Sequence, residues 1–180
     1  MNFDPALHHR RSVRLKGYDY ARAGAYFITL CAQDRACVFG QIRNGVLHPS
    51  AIGLIARAQW DAIPDRHPAA SLDAFVVMPN HIHGIMYITD VGAPLAGAQS
   101  DTGRPQGSPL HVVVGAYKSL VFKQALPEAK QAGRLLGKLW QRNYWEHVVR
   151  NETELHAIRE YIQNNPTQWD LDSLFVETGA

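Results

Sequence analysis

The chain has 180 residues, 46% of them hydrophobic and 19% charged, a balance that excludes an intrinsically disordered or collagen-like protein. One domain spanning 1–180 is expected, able to bury about 70% of its unfolded surface without disulfides or metal to help it fold. A net charge of +2 excludes a uniformly basic protein, and no apolar run approaches the about 18 residues that a membrane span requires.

The chain opens with a basic arm, residues 1–22. It carries Arg10, Arg11, Arg14, Lys16 and Arg22 and has no apolar core of a secretory signal, so a cytoplasmic location without membrane association is expected. Residues 26–33 (YFITLCAQ) read as a strand. Residues 37–47 read as a second one, joined to the first through a short turn at Asp34 and Arg35 as a hairpin. Cys31 and Cys37 match neither a CxxC nor a zinc-ribbon spacing. Ser50 stands where an N-cap would be, and Ile52, Ile55, Ala56 and Trp60 follow at helical spacing until the break near Pro64. Residues 72–78 (LDAFVVM) and 81–89 (HIHGIMYIT) form a second hairpin around Pro79 and Asn80.

Residues 90–109 hold seven Gly or Pro and no apolar periodicity, which marks a flexible inserted loop. Leu110, Val114, Tyr117 and Val121 then trace the apolar stripe of a second helix. Residues 139–149 (LWQRNYWEHVV) read as a fifth strand. Asn151 and Glu154 have the spacing of a capping box ahead of a third helix, which carries Leu155, Ile158 and Ile162 and ends where Asn165 meets Pro166. Residues 170–180 form a short acidic tail. The order ββαββαβα predicts an α+β fold: a ferredoxin-like antiparallel sheet with helices packed mainly on one face.

Divided along the chain, the small net charge is a cancellation. Residues 8–22 carry +4, residues 118–150 carry +5 and residues 151–180 carry −5. The basic segments have the character of a phosphate-binding footprint, a pattern that ordinary solvated faces share. If the tail screens a DNA groove, removing the residues after Trp169 strengthens nonspecific DNA binding.

His81 and His83 lie two apart on a strand, so both imidazoles leave the same face while Ile82, Gly84, Met86 and Ile88 form an apolar row on the other. Such a pair can hold a divalent cation and leave positions open for water or phosphate. Tyr161 and Asn165 stand at i and i+4 on the third helix. If that helix crosses the histidine strand, Asn165 can offer a hard oxygen to the metal while the Tyr161 hydroxyl reaches an electrophile. Each residue also has a structural reading: a chance histidine pair, a tyrosine at the edge of an apolar stripe, an asparagine closing a helix.

The ordered set MPNHIHGI, VVGAYKS and YIQNNP resembles the HUH single-tyrosine transposases, and most closely the REP-associated tyrosine transposases. The likeness spans residues 17–169. It implies a metal-dependent endonuclease that cuts and rejoins single-stranded DNA near REP-type hairpins through a 5′-phosphotyrosine. Tyr161 would be the nucleophile, His81, His83 and Asn165 the metal ligands, and Mg²⁺ or Mn²⁺ the cation. Where relatives continue NPVRAG this chain reads NPTQWD, which leaves the tail's part in DNA binding and the choice between monomer and homodimer open. Arg10, Arg11, Arg14 and Lys16, with Lys118, Arg142 and Tyr144, are candidate DNA contacts through charge and stacking. A hairpin-binding regulatory module without cleavage is the alternative. A zinc hydrolase with Cys31 as an added ligand is a third reading.

Overall fold

The computed structural model describes residues 23–89, 109–133 and 136–176; the basic arm, nearly all of the 90–109 segment and the last four residues of the acidic tail lie outside them. In chain order the strands are β1 (Gly24–Cys31), β2 (Gly40–Arg43), β3 (Val46–Pro49), β4 (Ala70–Val77), β5 (His81–Ile88) and β6 (Trp145–Val149). The helices are α1 (Ala51–Asp61), α2 (Ile63–Arg66), α3 (Pro109–Gln131) and α4 (Glu152–Asn164). Four strands make an antiparallel sheet in the order β4-β5-β1-β6, the arrangement of a ferredoxin-like α+β fold. Among the described residues no helix is long and apolar enough to cross a membrane.

Two expected strands are corrected. Residues 37–47 do not pair back on β1. They contain β2 and the start of β3, which pair only with each other around Asn44 and Gly45, both at positive φ. An Asn-Gly pair with left-handed backbone is the preferred two-residue hairpin turn, so the fold is made inside the stretch read as one strand. Of residues 139–149, only Trp145–Val149 is strand. Leu139 and Trp140 are both buried in the larger core, and consecutive residues of a strand cannot share one face.

Strand alternation divides the sheet into two faces. Tyr26, Ile28, Leu30, Ile82, Met86 and Ile88 enter the larger core, covered by α1 and α3; Leu110, Val114, Tyr117 and Val121 of the expected stripe are all buried there. Phe27 and Ile85 point the other way and pack against Leu155 and Ile162 of α4. Ser50 caps α1 by accepting the Gly53 N–H at 3.1 Å. The Asn151 side chain caps α4 by accepting the Glu154 N–H at 2.9 Å.

Gly84 faces the larger core, where the Trp60 indole lies against its Cα and stacks on Phe75 with ring centroids 4.5 Å apart. A Cβ at this position would collide with the six-membered ring of Trp60, itself fully buried. Gly84→Ala is expected to cost about 1–3 kcal/mol by overpacking, measurable by urea denaturation.

A bulge in β4 places Asp73 and Ala74 together between the pairs Leu72↔Met86 and Phe75↔Gly84. There the Asp73 carboxylate receives Arg159 of α4 through two nitrogens, at 3.0 and 2.5 Å, and the Tyr87 hydroxyl at 3.1 Å. This fork fixes α4 over the sheet two residues from Tyr161. The Arg159 hydrogen bonds hold the Asp73 carboxyl below its ordinary pKa. Its stabilisation is therefore complete above the unfolded value of about 3.9 and is lost as pH falls through the lower folded value. Asp73→Asn is expected to lower the melting temperature by about 2–4 °C at pH 7, with the two proteins converging as pH drops below about 3.9.

Candidate active site

The site lies on the α4 face of the sheet. His81 and His83 of β5 are both buried and stand opposite Cys31 and Thr29 of β1. Their Nε2 atoms face each other at 3.0 Å. Each Nδ1 is engaged: that of His83 with the Thr29 hydroxyl at 2.8 Å, that of His81 with Asn80 Oδ1 at 2.7 Å. The buried Asn80 donates its Nδ2 to the Leu174 carbonyl at 2.8 Å. A carbonyl only accepts, so the amide nitrogen must face it, and Oδ1 then faces His81 Nδ1, which donates. His81 Nε2 is left with its lone pair toward the site. Burial pushes both imidazoles down to about 3, with His83 held down further by His81, so both are neutral at physiological pH. Neutral imidazole is the metal-binding form.

α4 brings the second half. The Tyr161 hydroxyl lies 3.2 Å from His83 Nε2, and its half-exposed ring meets Phe27 edge-on. Asn165 closes α4 and leads into a 3-10 turn, Asn165–Leu171. The helix ends at Asn165 as its Pro166 neighbour predicts, yet Asn165 keeps helical φ −56° and ψ −42°, because Pro is tolerated in the first turn of the helical segment that follows. That turn sets Trp169 against His81, with ring centroids 6.0 Å apart, and returns Asp172 to the site. Asp172 Oδ2 accepts from Asn165 Nδ2 at 3.1 Å and lies 3.5 Å from the Tyr161 hydroxyl and 3.9 Å from His81 Nε2; Oδ1 accepts the Leu174 N–H at 2.6 Å. Burial and then the charge of Asp172 push the Tyr161 phenol up to about 12.

This donor set fits a divalent cation. His81, His83 and Asp172 each offer a ligand atom within 4.8 Å of the others. Asn165 Oδ1 is buried with no hydrogen-bond partner, a costly condition that an ion beside it would relieve. The two imidazoles are neutral, so the Asp172 carboxylate has no cation within this group, and a metal would supply one.

The comparisons with known proteins agree with this architecture. No family model matches the chain. A Haemophilus influenzae protein described as uncharacterized is 36% identical over 180 residues, covering 97% of this chain and 98% of its own length. A second H. influenzae protein, described as "Putative REP-associated tyrosine transposase", is 24% identical over 156 residues, covering 83% of this chain and 74% of its own. A solved structure of a REP-associated tyrosine transposase bound to a REP hairpin superposes with a TM-score of 0.50 at 19% identity, covering 84% of this chain and 71% of that one. The chain is a distant relative of the REP-associated tyrosine transposases.

In this distant transposase relative, four of the residues singled out from sequence, His81, His83, Tyr161 and Asn165, converge on one point. Among the described residues, the candidate DNA contacts Lys118, Arg142 and Tyr144 are not part of this group. Arg10, Arg11, Arg14 and Lys16 lie outside the described residues. Lys118 is half-buried and donates to the carbonyls of Gln141 at 2.5 Å and Arg142 at 3.4 Å, and burial pushes its pKa down. Arg142 is exposed beside it, while Tyr144 packs against the larger core and stacks on His111. Cys31 lies across from His81 but outside the ligand group. Asp172 was missed: from the sequence it counted only as charge in a screening tail. The signal that could have found it is an acid seven residues beyond Asn165, across a proline-led turn.

Proposed function

We propose that this protein is a metal-dependent endonuclease that nicks and rejoins single-stranded DNA at REP-type hairpins through a covalent phosphotyrosine. The observation that carries this reading is the Tyr161 hydroxyl 3.2 Å from His83 Nε2, beside the unpartnered Asn165 Oδ1. His81, His83 and Asn165 would hold the cation, with Asp172 as the adjoining negative charge. Mn²⁺ or Mg²⁺ bound there would polarise the scissile phosphate and stabilise the charge developing on it.

The chain's own residues do the rest. Phe27 and the Asp73–Arg159 fork fix where the phenol stands. The Tyr161 oxygen attacks phosphorus and forms a tyrosyl phosphate ester with the 5′ phosphate. The bond to the 3′ oxygen breaks, and that oxygen leaves as a 3′-hydroxyl after taking a proton from solvent. The phenolic proton passes to Asp172 Oδ2, the acceptor it already faces at 3.5 Å. Reversal with a second 3′-hydroxyl reseals a strand without ATP, because the ester conserves the energy of the cleaved bond. The test is formation of a covalent protein–DNA adduct on hairpins with single-stranded flanks, with and without Mn²⁺. Tight, salt-dependent binding with no adduct under any divalent metal overturns the nuclease and leaves a hairpin-binding module.

A further inference from the structure

We propose that Trp145 and His147 form a stacking platform for a base of single-stranded DNA next to the reacting phosphate. This inference rests on the nuclease reading for its position, but it has its own readout. The chain has four tryptophans. Trp60, Trp140 and Trp169 are at most 8% exposed, whereas Trp145 is 39% exposed. A lone exposed aromatic residue is ordinary; the surroundings of this one are not.

Trp145 lies on β6, at the edge of the sheet, in a register row that runs Val76, His83, Thr29, Trp145 across four strands. Two strand spacings, about 10 Å, separate it from the metal-ligating row position of His83. Strand alternation turns Trp145 and His147 to the α4 face, and their ring planes lie 6° from parallel at 5.8 Å. Phe27 stands between this pair and the nucleophile. It meets Trp145 edge-on at 5.4 Å and Tyr161 edge-on at 6.1 Å, so one buried ring sets the position of both. His147 is itself locked: its Nε2 lies 2.6 Å from Glu154 Oε1, and Glu154 Oε2 accepts the Arg150 N–H at 2.7 Å.

A rigid aromatic pair with an accessible indole, registered to the attacking tyrosine through Phe27, has the chemistry of a single-strand base platform. Stacking of this kind tolerates any base and resists only its absence. The platform would therefore hold the nucleotide flanking the cut rather than read its identity.

Oligothymidylate and an abasic strand of equal length separate stacking from phosphate binding, since both carry the same charge. Oligothymidylate is expected to bind about tenfold more tightly than the abasic strand and to quench tryptophan fluorescence. Trp145→Ala should equalise the two strands and abolish the quench, while Trp145→Phe keeps the preference and loses the signal. The platform is overturned if wild-type protein does not distinguish the two strands, or if the preference survives in Trp145→Ala. Should Trp145→Ala fail to fold, the wild-type comparison and its quench decide alone, because the other tryptophans are buried. Adduct formation on a hairpin without any thymidylate preference sinks the platform and leaves the nuclease. The preference without an adduct does the reverse.

Discussion

Tyr161→Phe is expected to abolish the covalent adduct while leaving divalent-cation binding and hairpin binding within about twofold of wild type. The substitution removes one oxygen. It keeps the ring that meets Phe27 edge-on and the backbone of α4, and it leaves His81, His83, Asn165 and Asp172 untouched. The hydroxyl it removes is bonded only within the site, to His83 Nε2 and Asp172 Oδ2, at 3.2 and 3.5 Å. Net loss of a hydrogen bond at a half-exposed position costs about 1 kcal/mol, too little to unfold the protein. In the proposed mechanism the same change removes the nucleophile and with it the whole covalent reaction, since Phe has nothing to offer phosphorus. Denaturing electrophoresis after incubation with labelled hairpin DNA and Mn²⁺ reads the adduct, and calorimetry with Mn²⁺ reads the metal. An adduct of undiminished yield in Tyr161→Phe would mean that another side chain attacks.

What could be read from the sequence at this site follows from periodicity. His81 and His83 share a face because a strand repeats every two residues, and Ile82, Gly84 and Met86 fall on the opposite face by the same alternation; that an indole fills the space beside Gly84 shows only in the structure. Tyr161 and Asn165 share a strip because a helix returns every three to four residues. These rules act within one element. They do not say which side of the sheet α4 takes; that is set by Phe27 and Ile85 on one side and Leu155 and Ile162 on the other, a pairing of distant residues. Asp172 was illegible for the same reason. It reaches the site through a 3-10 turn whose path depends on Trp169 packing against His81 and on Leu174 bonding Asn80, contacts across more than eighty residues. Charge counting placed Asp172 in a tail and weighed it only as part of −5. The β2–β3 hairpin was hidden differently: Asn44-Gly45 was present in the sequence, but lay inside a run that strand propensity alone reads as continuous.

The second large effect separates the two accounts of the metal site. Asp172→Asn is expected to weaken Mn²⁺ binding by about 10–100-fold, and Mn²⁺ should bind more tightly than Mg²⁺ in wild type because two of the donors are imidazole nitrogens. Asn is nearly the size of Asp and can keep the acceptor for the Leu174 N–H, but its amide nitrogen then stands where Oδ2 accepted from Asn165 Nδ2, so the change removes the charge and that hydrogen bond together. With both histidines neutral, that charge is the electrostatic attraction the group itself offers a dication. Asn165→Ala removes a neutral carbonyl oxygen instead. It should weaken binding through one lost ligand, and it also takes away a donor to Asp172. Manganese titrations followed by electron paramagnetic resonance measure both variants without any DNA present. If Asp172→Asn binds as wild type does while Asn165→Ala does not, the cation is held by the histidine pair and the helix, and Asp172 acts only on the tyrosine proton. If both bind weakly, the carboxylate and the carboxamide close the same site from either side of the turn that joins them. Deletion after Trp169 then removes a functional residue rather than a screen. The truncated chain should lose metal affinity along with any gain in nonspecific DNA binding, an outcome that charge arithmetic on the tail alone would not produce.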